Sequence, residues 1–285
     1  MFIGVANIQF EVCLPDNGSE YSVDSRFSPF LTKLKDPLYH IQVKNEQYDE
    51  KVLSHAECIF DPDAVWKVYT ARDQFVAFFT YFRMNCKAPD HCILRFSPNY
   101  NQVVFSEKKH TDQTSLFYLV ASEFLFRSTF IITKGIEIHG SLLDIQGLGV
   151  GIVGHSGEGK STISHVLQQE KNTVLLNEDR LAARVEKSAM AYGIPWGGSS
   201  RSVHNKSVPL SALILLEKTK ENSITKLSKK EAMPLILARS FLPYWDESLM
   251  IIALDNIDAL LNTVPVYLLR CKPEPAIIPL VRSVL

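Results

Sequence analysis

Eight consecutive residues carry the clearest chemistry. Gly154-His155-Ser156-Gly157-Glu158-Gly159-Lys160-Ser161 satisfy the pattern G-x-x-x-x-G-K-[ST] without a mismatch. Gly154, Gly157 and Gly159 admit backbone dihedrals that side chains forbid, so successive N–H groups can turn inward as an anion nest. A helix starting near Lys160 adds the partial positive charge of its N-terminus. Lys160 is a point charge able to reach β- and γ-phosphates, and Ser161 offers a hydroxyl to Mg²⁺. So short a pattern also occurs by chance. Here it follows an apolar run at 150–153 and opens a helical stretch bearing Ile163, Val166 and Leu167, the context the mechanism requires. A nucleotide or polyphosphate site is expected, formed by Gly154, Ser156, Gly157, Glu158, Gly159, Lys160, Ser161 and Thr162.

Phosphoryl transfer further needs a carboxylate to organise a metal and a group to accept a hydroxyl proton. Val174-Leu175-Leu176 runs straight into Asn177-Glu178-Asp179-Arg180, placing two carboxylates at the C-terminal edge of a sheet beside the loop. Adjacent carboxylates repel, so one is expected on the metal and the other free as base. The bland alternative is a turn with a solvated glutamate. His139, in Glu137-Ile138-His139-Gly140-Ser141, lies on the strand before the loop. A lone strand histidine is usually packed or hydrogen-bonded; its neighbours make this one a candidate.

The elements that must position these groups follow from periodicity. Residues 1–112 are rich in short β-prone runs (3–12, 65–70, 74–82, 91–96, 102–105) broken by Pro15-Asp16-Asn17-Gly18 and Ser97-Pro98-Asn99. They predict a β-rich accessory or substrate domain. A helical period over 111–133, with Thr111, Asp112 or Thr114 as N-cap, predicts a linking helix at 113–134. From 135 to 285 the order is strands 136–145 and 150–153, loop, helix 160–169 and strand 173–176, the grammar of an α/β nucleotide domain. Strand 209–217, helix 229–239, helix 255–262 and strand 266–270 are expected beyond it.

Composition narrows the partners. Thirty Lys+Arg against 31 Asp+Glu give a net charge of −1, which argues against nucleic-acid binding by bulk electrostatics. No apolar run is long enough to span a membrane and no basic leader precedes the apolar N-terminus, so a cytoplasmic protein is expected. The odd, scattered cysteines read as reduced thiols. Cys86, His91 and Cys92 lack a fourth ligand at zinc-like spacing, and a turn between strands is the preferred reading.

Ile138 to Val150, followed by the phosphate loop, resembles the kinase domain of HPr serine kinases. That family shows His-Gly before a strand, a gap ending in glycines, G-x-S-G-x-G-K-S, and an acidic pair about eighteen residues after the loop serine. The likeness covers roughly residues 130–275. It implies a phosphoenolpyruvate-carboxykinase-like nucleotide fold; no switch or base-recognition motif of a GTPase is evident. Tyr192-Gly193-Ile194-Pro195-Trp196-Gly197-Gly198, then Arg201 and Pro209-Leu210-Ser211-Ala212-Leu213, is similar to divergent relatives found with peptide-maturation enzymes, among them kinases of lasso-peptide precursors. The segment carrying Arg201, His204 and Lys206 could fold over the phosphates; a solvent loop is the competing reading for His204 and Lys206.

Departures from the family are Thr162 in place of an acidic residue after the loop serine, Glu178-Asp179 in place of Asp-Asp, and a β-rich N-terminal half. The resemblance implies an ATP- and Mg²⁺-dependent kinase acting on a serine hydroxyl of a peptide or small protein. Ser161 and Asp179 would hold the metal, Glu178 (or Asp179) would be the base, Arg201 would stabilise the transferring group, and His139 would support the acidic site. Relatives assemble into oligomers, so a homo-oligomer is possible. A nucleotide-dependent scaffold or chaperone of a peptide-modifying assembly and a small-molecule kinase are the competing functions.

Overall fold

The computed structural model describes residues 1–13, 23–62, 66–84, 87–108, 114–197 and 203–285. The chain divides into two compact units: Met1–Thr129 with Tyr244–Glu247, and Phe130–Pro243 with Ser248–Leu285.

The first unit is built on an eight-stranded sheet in the order β1-β2-β3-β8-β7-β6-β5-β4. Its strands are β1 (Phe2–Val5), β2 (Ile8–Cys13), β3 (Tyr39–Asn45), β4 (Glu57–Phe60), β5 (Trp66–Ala71), β6 (Gln74–Tyr81), β7 (Asp90–Phe96) and β8 (Gln102–Lys108). The run expected as one strand over 3–12 is a hairpin. Ala6 and Asn7 take φ of 49° and 62°, the left-handed pair that a two-residue turn demands. Strand β3 alternates buried Ile41 and Val43 with polar neighbours, the period of a half-buried strand, and lies outside the runs named above. An aromatic cluster forms the heart of the unit: Phe124 stacks on Trp245 at 4.9 Å and meets Phe79, Phe96 and Trp66 edge-on at 5.6 Å each. His91 stacks on Phe78, and Cys92 is buried; Cys86, the other half of that sequence cluster, lies outside the described residues. The helix expected from 111 is α1 (Ser122–Ile132), preceded by a wider π-type turn at Phe117–Ala121. Thr111 and Asp112 lie outside the described residues, and Thr114 does not cap it. Leu116 N–H donates instead to Glu107 Oε2 and Phe117 N–H to Ser115 Oγ.

The second unit is mixed α/β. Its strands are β9 (Gly135–Ile145), β10 (Leu148–Val153), β11 (Thr173–Asn177), β12 (Arg180–Val185), β13 (Ala189–Tyr192), β14 (Ser207–Lys218), β15 (Ser223–Leu227) and β16 (Val266–Cys271). Its helices are α2 (Lys160–Leu167), α3 (Lys229–Leu237), α4 (Glu247–Thr263) and α5 (Ile277–Arg282). The sheet runs β10-β9-β12-β13-β14-β16-β15, with β11 beside β9. Because β10 also pairs with β14, strands β9, β12, β13, β14 and β10 form a closed ring of pairings.

Two features of this topology matter for function. Strands β10, β14 and β16 run parallel side by side, so their carboxyl ends share one edge. The unit β10–α2–β11 is a crossover with antiparallel β9 between its two strands. Helix α2 is held on the sheet by Ile163, Val166 and Leu167, which pack into a core with Leu143, Val150, Ile152, Ile214, Leu269 and Val281. This apolar anchoring fixes the helix N-terminus relative to the end of β10.

Helix α4 is two turns longer than the expected 255–262. Its early apolar residues Ile251, Ile252 and Leu254 are exposed, so the apolar period there is blurred. Strands β12, β13 and β15 were missed for a related reason: alanine-rich or charged strands give little alternation. Among the described residues, no helix is long and apolar enough to cross a membrane.

Candidate active site

In the loop from β10 to α2, Gly157 and Gly159 have the left-handed backbone expected of them and Gly154 does not; a Cβ on Gly154 would instead lie 2.6 Å from Glu158 Oε2. Gly157 and Gly159 take φ of 82° and 100°, and Gly159 is the N-cap of α2 with no side chain to offer. Left-handed backbone at both positions points amides toward one side, and any Cβ there would cost about 1–2 kcal/mol. Gly154 N–H donates to the His139 carbonyl at 3.3 Å, which ties the loop's first residue to β9. Glu158 folds back on the loop: its Oε2 accepts from His155 N–H at 2.7 Å and its carboxylate meets Arg239 Nη2 at 3.2 and 3.4 Å. Burial would raise the Glu158 carboxyl; the His155 amide and Arg239 outweigh it and hold it below the usual carboxylate range.

Lys160 is buried, and its ammonium donates to the His155 carbonyl at 3.0 Å and to His139 Nε2 at 2.9 Å. Burial pushes its pKa down, against the attraction of Asp179. Since an ammonium has only donors, His139 Nε2 must accept, which assigns the ring proton to Nδ1. Nδ1 lies 3.4 Å from Asp179 Oδ1. Burial lowers the His139 pKa, with Asp179 opposing and Lys160 assisting, in keeping with a neutral imidazole between the two. Lys160, His139 and Asp179 thus form one chain of polar contacts across the base of the loop.

Asp179 is fixed from its other side by Arg180, whose Nη1 contacts both Oδ2 and the Asp179 carbonyl. Arg180 Nε pairs with buried Glu137 at 3.3 Å, and its guanidinium lies 4.8 Å over the ring of Phe241. The strap 239–241 brings these partners in by running along β9: His139 N–H donates to the Arg239 carbonyl, and Phe241 N–H to the Glu137 carbonyl. The turn before Arg180 is set by buried Asn177. Its Oδ1 accepts from the amides of Asp179 and Arg180, and its Nδ2 donates to the carbonyls of Ile194 and Trp196. Asn177→Ala would strand these buried groups, so urea unfolding is expected to show a loss of about 3 kcal/mol.

A cavity of about 600 Å³ opens over the loop at the carboxyl ends of β10, β14 and β16, the edge where parallel α/β sheets bind ligands. Ser156, Gly157, Glu158, Gly159, Lys160, Ser161, Thr162 and Asp179 all line it, and the Ser161 and Thr162 side chains stand at its exposed face. Glu178 is not among the lining residues; its carbonyl accepts from Ser141 Oγ. Arg201 lies outside the described residues. Lys206 does not fold over the loop. Its ammonium pairs with buried Asp144, which sits opposite Gly149 at the start of β10, the end of that strand remote from the loop. The salt bridge explains the difference: a buried carboxylate claims the nearest cation. His204 contributes its carbonyl to a close approach against Gly193.

Sequence reasoning missed Asn177, Arg180, Lys218, Arg239 and Phe241. Asn177 and Arg180 flank the acidic pair, and an Asx turn into a carboxylate was a usable signal. Arg239 and Phe241 reach the site only through the strap, which no local pattern announces.

The residues fit a nucleoside triphosphate with a divalent cation. The loop offers amides and one ammonium, Ser161 and Asp179 offer oxygen donors, and Mg²⁺ takes the rest of its shell from water and phosphate. Among the described residues no group of three His, Cys, Asp or Glu side chains could hold a metal alone.

No protein-family profile matches the chain, and no curated protein matches it. Among solved structures, one similar chain is the Hpr(Ser) kinase/phosphatase from Coxiella burnetii. It is 18% identical with a TM-score of 0.32, over 52% of this chain and 94% of that one.

Proposed function

We propose that the second unit is a phosphotransferase site: it binds ATP with Mg²⁺ and passes a phosphoryl group to a hydroxyl. The observation that carries this reading is the placement of Lys160, His139 and Asp179 in one contact chain beneath a left-handed glycine loop, with Lys160 and Asp179 lining the cavity. The loop amides and Lys160 hold the phosphates, and Ser161 and Asp179 hold the cation. When bound, the nucleotide supplies the phosphoryl group and the cation offsets the charge that develops on it. His139, protonated on Nδ1, orients the Asp179 carboxylate, and Arg180 locks its other oxygen. Of the acidic pair, Asp179 lines the cavity and Glu178 does not, so Asp179 is the carboxylate that an incoming hydroxyl meets, with Glu178 behind it.

The proposed acceptor is a serine hydroxyl of a peptide or small protein, supported by the resemblance of residues 138–150 and the phosphate loop to HPr serine kinases and of 192–213 to kinases of peptide precursors; a lasso-type precursor is the narrowest form of that reading. Incubating the full chain with terminally labelled ATP and serine-bearing precursor peptides tests it. Label is expected on serine. Hydrolysis alone, with no label on any peptide, would remove the peptide acceptor.

A further inference from the structure

The first unit holds a second cavity, apart from the phosphate chemistry. After β3 the chain leaves the sheet: Glu46 N–H still donates to the Phe105 carbonyl at 2.9 Å, and a helical turn follows at Glu50–Leu53, where Asp49 Oδ1 accepts from Lys51 N–H. This segment walls a cavity of about 650 Å³ together with Ile93 and Arg95 of β7 and Ser106 of β8. Ile93 and Arg95 share one face of their strand and Ser106 pairs with Ile93. Phe96, which meets Phe124 in the aromatic cluster, belongs to the other face. The cavity therefore lies on the side of the sheet away from that cluster. Its volume falls within the range of pockets that enclose small ligands, about 300–1,000 Å³.

The lining is balanced in charge and mostly polar. Glu46 and Asp49 oppose Arg95 and Lys51; Gln47, Tyr48 and Ser106 are neutral and polar, and only Val52 and Ile93 are apolar. A phosphate would meet two carboxylates and a polyamine two cations. A sugar would desolvate the ionised groups without answering them, and an apolar ligand would find little apolar wall. A chain that carries a carboxylate, an ammonium and amides can answer every group. The Arg95–Glu46 ion pair at the cavity has side chains 32% and 51% exposed, so exchanging it for a ligand's charges costs little. The Tyr48 hydroxyl is shut off from water and has no hydrogen-bond partner among the described residues. Burial, and after it the Glu50 carboxylate, push its pKa up to about 12, so the phenol stays a proton donor without an acceptor. We infer that this cavity docks a peptide segment bearing charges of both signs, with Arg95 taking its carboxylate and the Tyr48 hydroxyl one of its oxygens. For the identity of that peptide the inference rests on the peptide-acceptor reading above, and it gives the first unit the task of holding the acceptor.

An array of end-capped hexapeptides, built from Ala, Ser, Glu and Lys in every order and probed with the full chain, tests it. Affinities of the peptides retained are then measured in solution by fluorescence anisotropy. Wild type is expected to hold peptides that contain both Glu and Lys and to pass over those with one sign or none. Tyr48→Phe removes a hydroxyl that bonds nothing in the free protein, and is expected to weaken binding about three- to tenfold. Arg95→Ala is expected to weaken it about tenfold or more, with circular dichroism checking that both variants fold. No peptide held, a preference for one sign alone, or equal affinity in all three proteins would overturn the inference. Displacement of the peptide by equimolar free glutamate and lysine would overturn it too, by giving the cavity to amino acids. Transfer from labelled ATP separates the two levels. If peptides bind here and none is labelled, the docking site stands and the peptide-kinase reading falls. If serine is labelled and neither variant changes binding, transfer stands and the docking site falls.

Discussion

Lys160→Ala is expected to lower phosphoryl transfer at least a hundredfold, the loss typical of removing one preorganised donor from a site of developing charge. Three observations set the size of this effect. The ammonium is buried at the base of the loop and already oriented by the His155 carbonyl and His139 Nε2, so no ordering cost falls on the bound state. It is the motif's only cation, and the neighbouring Lys218 is hydrogen-bonded at the rim rather than under the loop. Burial disfavours its charge, which offsets the two hydrogen bonds that alanine removes, so the alanine variant should melt within a few degrees of wild type. A fall in activity with stability retained would separate a phosphate-binding lysine from a structural one. The measurement is turnover of labelled ATP beside thermal melting of the same samples.

Asp179→Asn is expected to cost about 10²–10⁴ in turnover, the span of a positioned proton acceptor. Affinity for metal-free nucleotide should stay within a few-fold. Asparagine keeps the size of the side chain and one oxygen for Arg180 but loses the charge that His139 and a cation require. Glu178→Gln should cost clearly less, because its side chain is not part of the cavity lining. A larger loss in Glu178→Gln than in Asp179→Asn would reverse the two roles. Comparing turnover with nucleotide affinity for both variants decides between them.

The loop and the acidic corner were largely visible in the chain, and the residues that orient them were not. The loop 154–161 declares itself because its demands are local: left-handed backbone at Gly157 and Gly159, and a lysine at the first turn of a helix. The acidic corner was legible from an apolar run ending in carboxylates. The strap 239–241 was invisible, since its link to β9 joins residues a hundred positions apart through backbone hydrogen bonds that any side chains could make. Lys206 shows the opposite failure. Proximity in sequence left this basic residue either over the phosphates or in a solvent loop, whereas the buried carboxylate of Asp144 decides where it goes. Strand β3 alternates buried Ile41 and Val43 with polar neighbours and was there to be read, whereas the hairpin at Ala6-Asn7 was hidden because its left-handed pair contains no glycine.

The most direct test is titration of the full chain with Mg·ATP, in wild type and in Lys160→Ala. Saturable one-site binding in wild type, weakened about tenfold or more in the variant, is the expected result. Absence of binding in wild type, or equal affinity in both proteins, would contradict a phosphate site in the β10–α2 loop.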